Sequence, residues 1–436
     1  MSLRMLRRPI RKAKKIFSLI IVSLLLVSCV PNTGVQKTAP ISDYKIFYPF
    51  ENHAIDMTWI IDPKKELYEI YPFYGPNVYS EVPRKLLGNV ATTQNSYALQ
   101  QNGDLWQVFS SEPNGKIERV AQNVLSFDGT NIAIDNKGSF LIKKDNSLWA
   151  YGKKVLENVT KTFDNFALKK DGTVWMIEQY WKNYKRLIVK DVADIIPSED
   201  GKIYVLFKNG TLKDDLFQGW FKLTLKADSV DKVFADSVPF LVIKKDSSLW
   251  ACWPDYINSK ILDNARDAYS YADLGYAIQN DNSLWVWANL NLSLSSKSYT
   301  PNNIAKDVKE VFLYPRLLDG GQREMFFLKN DNSLWQYDSS VTKILDNVIS
   351  FKQYEGIKVA LTSNGKIYAW NGKWFFGNSE PKSFDSDVKC LVDVRLVVYY
   401  EKQDGSLWAI GHLPEQRKLF DDPNFKLDLT PWRVLN

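Results

Sequence analysis

One short pattern returns nine times along the chain, and that repetition constrains the fold more than any other feature. The fullest copy is FLIKKDNSLWAYG, Phe140 to Gly152; the others read ALQQNGDLWQV, FALKKDGTVWMI, LVIKKDSSLWACW, AIQNDNSLWVWA, FFLKNDNSLWQYD, ALTSNGKIYAWN and YYEKQDGSLWAIG, with a weaker one in VLFKNGTLKDD. An aromatic residue recurs at one place, at Trp106, Trp149, Trp175, Trp250, Trp285, Trp335, Tyr368 and Trp408, while Lys213 stands there in the weak copy. Four residues earlier there is always an Asp or Asn: Asn102, Asp145, Asp171, Asn209, Asp246, Asp281, Asp331, Asn364 and Asp404.

Each copy joins two apolar runs through Asp-Gly, Asn-Gly, Asp-Asn or Asp-Ser, residue types that tolerate positive φ and close a two-residue turn. This predicts a β-hairpin in every copy. Tyr151, Cys252, Trp287, Tyr337 and Trp370 lie two residues past the repeat aromatic and share its face of the strand. Upstream of most hairpins a further β-branched and aromatic run, such as QNVLSF or KDVKEVF, reads as another strand. Its leading residue falls at Val90, Val124, Val159, Val192, Val230, Ala265, Val308, Val348 and Val388, a spacing of 33 to 43 residues. Strand-and-turn units of that period are the mark of propeller blades. The predicted fold is all-β, a β-propeller of short three- to four-stranded blades with about nine to ten repeat units, the repeat aromatics filling the space between blades. The blade holding Lys213 is expected to be the least well packed. Ten units exceed the usual four to eight, so the count fits either one large ring or a split arrangement.

The first fifteen residues carry seven basic side chains and no acidic one, and residues 16–28, IFSLIIVSLLLVS, are apolar apart from serines and too short to span a bilayer as a helix. Residues 1–28 therefore read as a secretory signal. It ends in Leu26-Val27-Ser28-Cys29, which resembles the lipobox of bacterial lipoproteins, and that resemblance implies lipidation of Cys29. Without this segment the chain holds 49 Lys and Arg against 50 Asp and Glu, so its basic character belongs to the targeting segment and gives no support to nucleic-acid binding. Residues 29–43 have tether composition, and 44–436 form the propeller, opening with a divergent unit at Tyr44 to Leu87. The last segment, FKLDLTPWRVLN, is expected to supply a strand closing the ring against that first unit.

The string ALKKDGxxW at Ala167 to Trp175 and IKKDNSLWAYG at Ile142 to Gly152 resemble the repeats of the regulator-of-chromosome-condensation family in its bacterial form, over roughly residues 45 to 420. The resemblance implies propellers that act mostly through protein contacts on one face, without a shared catalytic residue. The Gly-Gln-Leu-Gly loop of many members is absent, so neither chromatin binding nor nucleotide exchange carries over.

No G-x-S-x-G, H-E-x-x-H or phosphate-binding glycine loop is present, and the reading is of a binding protein without catalytic residue, cofactor or metal. His53 and His412 stand at opposite ends of the chain, and the repeated Asp and Asn lack the spacing of a calcium loop. Cys252 and Cys390 read as two buried thiols, since a bond between them would have to cross the ring. A set of aromatics outside the repeat positions carries the binding expectation: Tyr180 and Trp181 in QYWKNY, Trp220 in FQGWF, Trp253 in CWPDY and Trp374 in KWFFG. All follow the hairpin's second strand, so in a propeller they emerge on one face and suit a protein hot spot or stacking on sugar rings. The plainer alternative is that they cap the blades' hydrophobic edge. Three partner readings follow: another envelope or extracellular protein, a glycan, or an outer-membrane assembly in the manner of quinoprotein-type repeats. Against the last, their T-G-x-x-x-W ending is missing.

Overall fold

The computed structural model describes residues 41–47, 58–70, 83–108, 116–127, 140–150, 153–163, 165–178, 184–197, 203–214, 224–235, 240–252, 259–271, 274–288, 300–313, 324–354, 357–370, 380–395, 397–411 and 431–435. They form ten four-stranded antiparallel sheets, each a meander in chain order, and among them there is no helix. These sheets are the blades of a β-propeller: blade 1 (45–87), 2 (90–121), 3 (124–156), 4 (159–189), 5 (192–227), 6 (230–262), 7 (265–305), 8 (308–345), 9 (348–385) and 10 (388–435).

Ten apolar layers lie between ten blades, one per junction. Each layer pairs the buried face of one blade with that of the next; Leu241, Ile243, Leu249 and Ala251 of blade 6, for instance, meet Ala265, Ala268, Ala277 and Trp287 of blade 7. The same holds around the circle, and the last layer joins Val397, Tyr399, Leu407 and Ala409 of blade 10 to Ile60 of blade 1, with Tyr44 between them. The ten units therefore make one closed ring.

The hairpin loops differ from the expected two-residue turn. In blade 3 the Asn146 N–H donates to the Lys143 carbonyl at 2.8 Å and the Lys143 N–H to the Ser147 carbonyl at 2.9 Å, enclosing three loop residues. This is a type I turn followed by one left-handed residue, the common three-residue hairpin loop. Only that last position needs positive φ. It is filled by Lys65, Gly103, Asn146, Gly172, Gly210, Ser247, Asn282, Asn332, Gly365 and Gly405, at φ between 59° and 94°.

A second left-handed residue, from Asn89 to Asp387, precedes the first strand of blades 2 to 10 at φ between 51° and 60°. Together the two bends staple neighbours: the Val124 N–H donates to the Gly103 carbonyl of the preceding blade, and the Lys144 N–H in blade 3's own loop donates to the Asn123 carbonyl, both at 2.8 Å. Gly172 shows why the loop position is often glycine, because at φ 85° an added Cβ would lie 2.9 Å from the Val192 backbone carbonyl of the next blade.

The C-terminal strand does not cross to the first unit. Trp432–Leu435 pairs with Leu407–Gly411 as the fourth strand of blade 10, so every blade is completed by its own chain neighbours. Nor is the Lys213 blade poorly filled: Leu212 is fully buried and the Tyr204 ring packs, tilted, against Phe240 of blade 6 with centroids 4.4 Å apart.

Candidate functional site

The residue before the repeat aromatic is the more deeply buried of the pair, while Trp175, Trp250, Trp335, Tyr368 and Trp408 pack against the inter-blade layers from partly buried positions. Leu105, Leu148, Val174, Leu212, Leu249, Leu284, Leu334, Ile367 and Leu407 are all at most 1% exposed. Trp106, Trp149, Trp175, Trp250, Trp285, Trp335, Tyr368 and Trp408 are half-buried. They sit at the loop end of a face whose deeper positions go to residues such as Cys252, Trp287 and Trp370.

What the loop acid does explains this placement. In blade 6 the Asp246 carboxylate accepts the Ser248 N–H at 2.9 Å and the Ser248 hydroxyl at 2.6 Å, and that hydroxyl accepts the Trp250 indole N–H at 2.8 Å. The relay recurs at Asp145–Ser147–Trp149, Asp171–Thr173–Trp175, Asp281–Ser283–Trp285, Asp331–Ser333–Trp335 and Asp404–Ser406–Trp408. Those hydroxyl bonds hold each of the six carboxyls below the usual aspartate range. A lysine covers the ring as well, with the Nζ atoms of Lys143, Lys244, Lys329 and Lys402 at 4.0, 4.8, 4.5 and 4.4 Å from the centroids of Trp149, Trp250, Trp335 and Trp408. With the N–H engaged and a ring face covered, these indoles are anchors of the hairpin.

The two ends of the ring thus differ. The stapled end carries the hairpin loops, built alike in every blade, and the blade-to-blade crossings that lead into blades 2 to 10. The opposite end receives the connections between first and second and between third and fourth strands. Tyr180, Trp181, Trp220, Trp253 and Trp374 all fall in connections between third and fourth strands and lie outside the described residues, as do Cys29, His53 and His412. The flanking strands place all four aromatic-bearing connections at that one end, since Val174–Glu178, Leu212–Asp214, Leu249–Cys252 and Ile367–Trp370 end there.

The first strands form the inner wall, where successive blades bridge one another. Lys161 of blade 4 donates to Asp194 and to the Ile195 carbonyl of blade 5, each at 2.8 Å; Lys232 of blade 6 reaches the Arg266 carbonyl, and Lys352 of blade 9 the Val392 carbonyl. Position two after the leading residue carries Lys161, Asp194, Lys232, Asp267 and Glu310 in blades 4 to 8. Asp267 and Glu310 are solvent-accessible there, and desolvation by the surrounding protein raises both carboxyls above their ordinary range. This belt was not picked out from the sequence. Its signal, a charged residue at the same register position of five successive first strands, becomes legible only once that strand is known to be innermost.

Cys252 and Cys390 are free, buried thiols in different layers, and burial pushes both up to about 12. Among the described residues no group of His, Cys, Asp and Glu is placed to hold a metal ion.

No protein-family model matches the chain, and no curated protein matches it. Among solved structures it is similar to Prp20p of Saccharomyces cerevisiae, studied for its binding to Gsp1p and histones, at 13% identity over 62% of this chain and 74% of that one, TM-score 0.28. The computationally designed Ika8 protein gives 13% identity, 64% and 94% coverage and a TM-score of 0.33. PorZ, a bacterial surface component of the type-IX secretion system of Porphyromonas gingivalis, gives 10% identity, 92% and 60% coverage and a TM-score of 0.29. The propeller itself rests on the ten sheets and the ten layers between them.

Proposed function

We propose that this chain is an envelope lipoprotein, held to a membrane through Cys29, whose propeller binds another protein through the end opposite the staples. The observation that carries the reading is the contrast between the two ends. One end repeats the same loop and staple in blade after blade. Connections of differing length and composition leave the other, and QYWKNY, FQGWF, CWPDY and KWFFG among them concentrate aromatic residues. A rigid scaffold with one repeated and one varied end is how repeat folds carry a recognition surface. The absence of catalytic motifs from the sequence supports binding over catalysis. Val30 after Cys29 is not the aspartate that retains lipoproteins in an inner membrane, so the outer membrane is the expected site in a host with two.

Affinity capture from envelope extract, with the bait anchored through its own lipid, tests the reading against a glycan array run in parallel. Capture of a defined protein, lost when the aromatic connections are changed, is the expected result. Array binding without protein capture would turn the reading to a carbohydrate-binding propeller.

A further inference from the structure

Nine junctions of the ring are closed in one way, and the tenth is not. At each ordinary junction the left-handed residue of one hairpin loop accepts, through its carbonyl, the N–H of the residue that begins the next blade, from Val90 on Lys65 to Val388 on Gly365. Blade 10 has the same loop, with Gly405 at φ 83°, but no blade follows it in the chain. Its carbonyl accepts the Tyr44 hydroxyl instead, at 2.9 Å.

A second departure lies beside the first. The residue two before the loop is apolar in nine blades: Ile61, Leu99, Ile142, Leu168, Leu206, Ile243, Ile278, Leu328 and Leu361. In blade 10 it is Glu401, 3% exposed. Glu401 accepts the Ser42 hydroxyl at 2.6 Å and the Lys389 ammonium at 2.5 Å, with the Cys390 sulfur 3.5 Å away. Both replacements for the missing staple therefore come from Ser42 and Tyr44, immediately ahead of the first strand of blade 1.

We infer that residues 42–44 are a releasable latch and that the ring opens first at the junction of blades 10 and 1. Parting an ordinary junction breaks backbone bonds and wets an apolar layer. Parting the last junction wets its apolar layer too, Tyr44 included, but it breaks two side-chain hydroxyl bonds in place of the backbone staple and lets water reach the Glu401–Lys389 pair, whose hydration offsets part of the loss. The position of the latch also sets what acts on it. Residues 1–40 join the propeller at this point, so tension along them reaches Ser42 and Tyr44 before it reaches any strand.

Hydrogen exchange on the purified chain tests this. In the unaltered protein the amides of Lys45–Phe47 and Val388–Val394 should exchange about tenfold faster than those of Val230–Phe234 and Ala265–Tyr271, first strands at an ordinary junction. Ser42→Ala with Tyr44→Phe should add about a further tenfold at the seam and leave blades 6 and 7 unchanged. Equal protection around the unaltered ring, or a double variant that loosens every blade alike or none, would overturn the latch. The outcome is independent of whether a partner or a lipid is bound.

Discussion

Leu249 and Trp250 are adjacent in sequence and unequal in burial, and the inequality sets what each contributes. Leu249→Ala should destabilise the fold by about 2–5 kcal/mol, as for a fully buried leucine. Trp250→Ala should cost roughly half of the 3–5 kcal/mol of a fully buried tryptophan, because its ring is half-buried under Lys244. Chemical denaturation of the two variants checks the order, and a larger loss from Trp250 would return the indole to the core. Gly275 is more constrained than either. A Cβ there would lie 2.4 Å from the Trp287 indole, so Gly275→Ala should displace that ring, with loss of its buried fluorescence and about 1–3 kcal/mol of stability. Sequence alone marked Trp250 because tryptophan is conspicuous; the silent leucine beside it is buried because strand alternation turns it inward, and only the packed ring shows which of the two faces is deeper.

At the scale of one hairpin, the Asp–Ser–Trp relay makes the loop sensitive to acid. The six relay carboxyls titrate lower in the folded chain than in the unfolded one. Their contribution is complete above the unfolded aspartate value, about 3.9, and is lost as pH falls through the lower folded values. The melting temperature should therefore fall below about pH 4. Asp→Asn at all six positions keeps an acceptor for Ser or Thr while removing the charge, and should flatten that acid limb; an unchanged limb would assign acid sensitivity elsewhere. The hairpins themselves were legible from Asp-Gly and Asn-Gly, but loop length was not, since the same residues serve a two-residue turn and the left-handed end of a three-residue loop. Pairing of the last strand was equally hidden, because WRVL reads alike as the fourth strand of its own blade or a partner for the first unit. Deleting residues 431–436 should strip blade 10 of its outer strand and, with Val434 and Leu435 gone from the closing layer, lower the melting temperature well beyond the effect of a surface change.

For the whole molecule, the prediction concerns separation of folding from binding. Truncating Trp181, Trp220, Trp253 and Trp374 singly to Ala should shift the melting temperature by no more than about 2–4 °C, while at least one lowers affinity for the captured partner about tenfold. Severe unfolding by all four would make them core residues. Cys29→Ser should leave uncleaved precursor or release the protein from the membrane fraction, and a mature mass without an acyl increment would remove the anchor. The chain-order meander of every blade carries one more consequence, for descent. Because no strand is lent to a neighbour, a blade is one uninterrupted segment, successive blades beginning 33 to 43 residues apart from Val90 to Val388, and an in-frame duplication or loss of one such repeat adds or removes a whole blade with its staple. Ring size in such a lineage can change by a single recombination event, and Ser42, Tyr44 and Glu401, which lie outside blades 2 to 9, are retained when one of those blades is duplicated or lost.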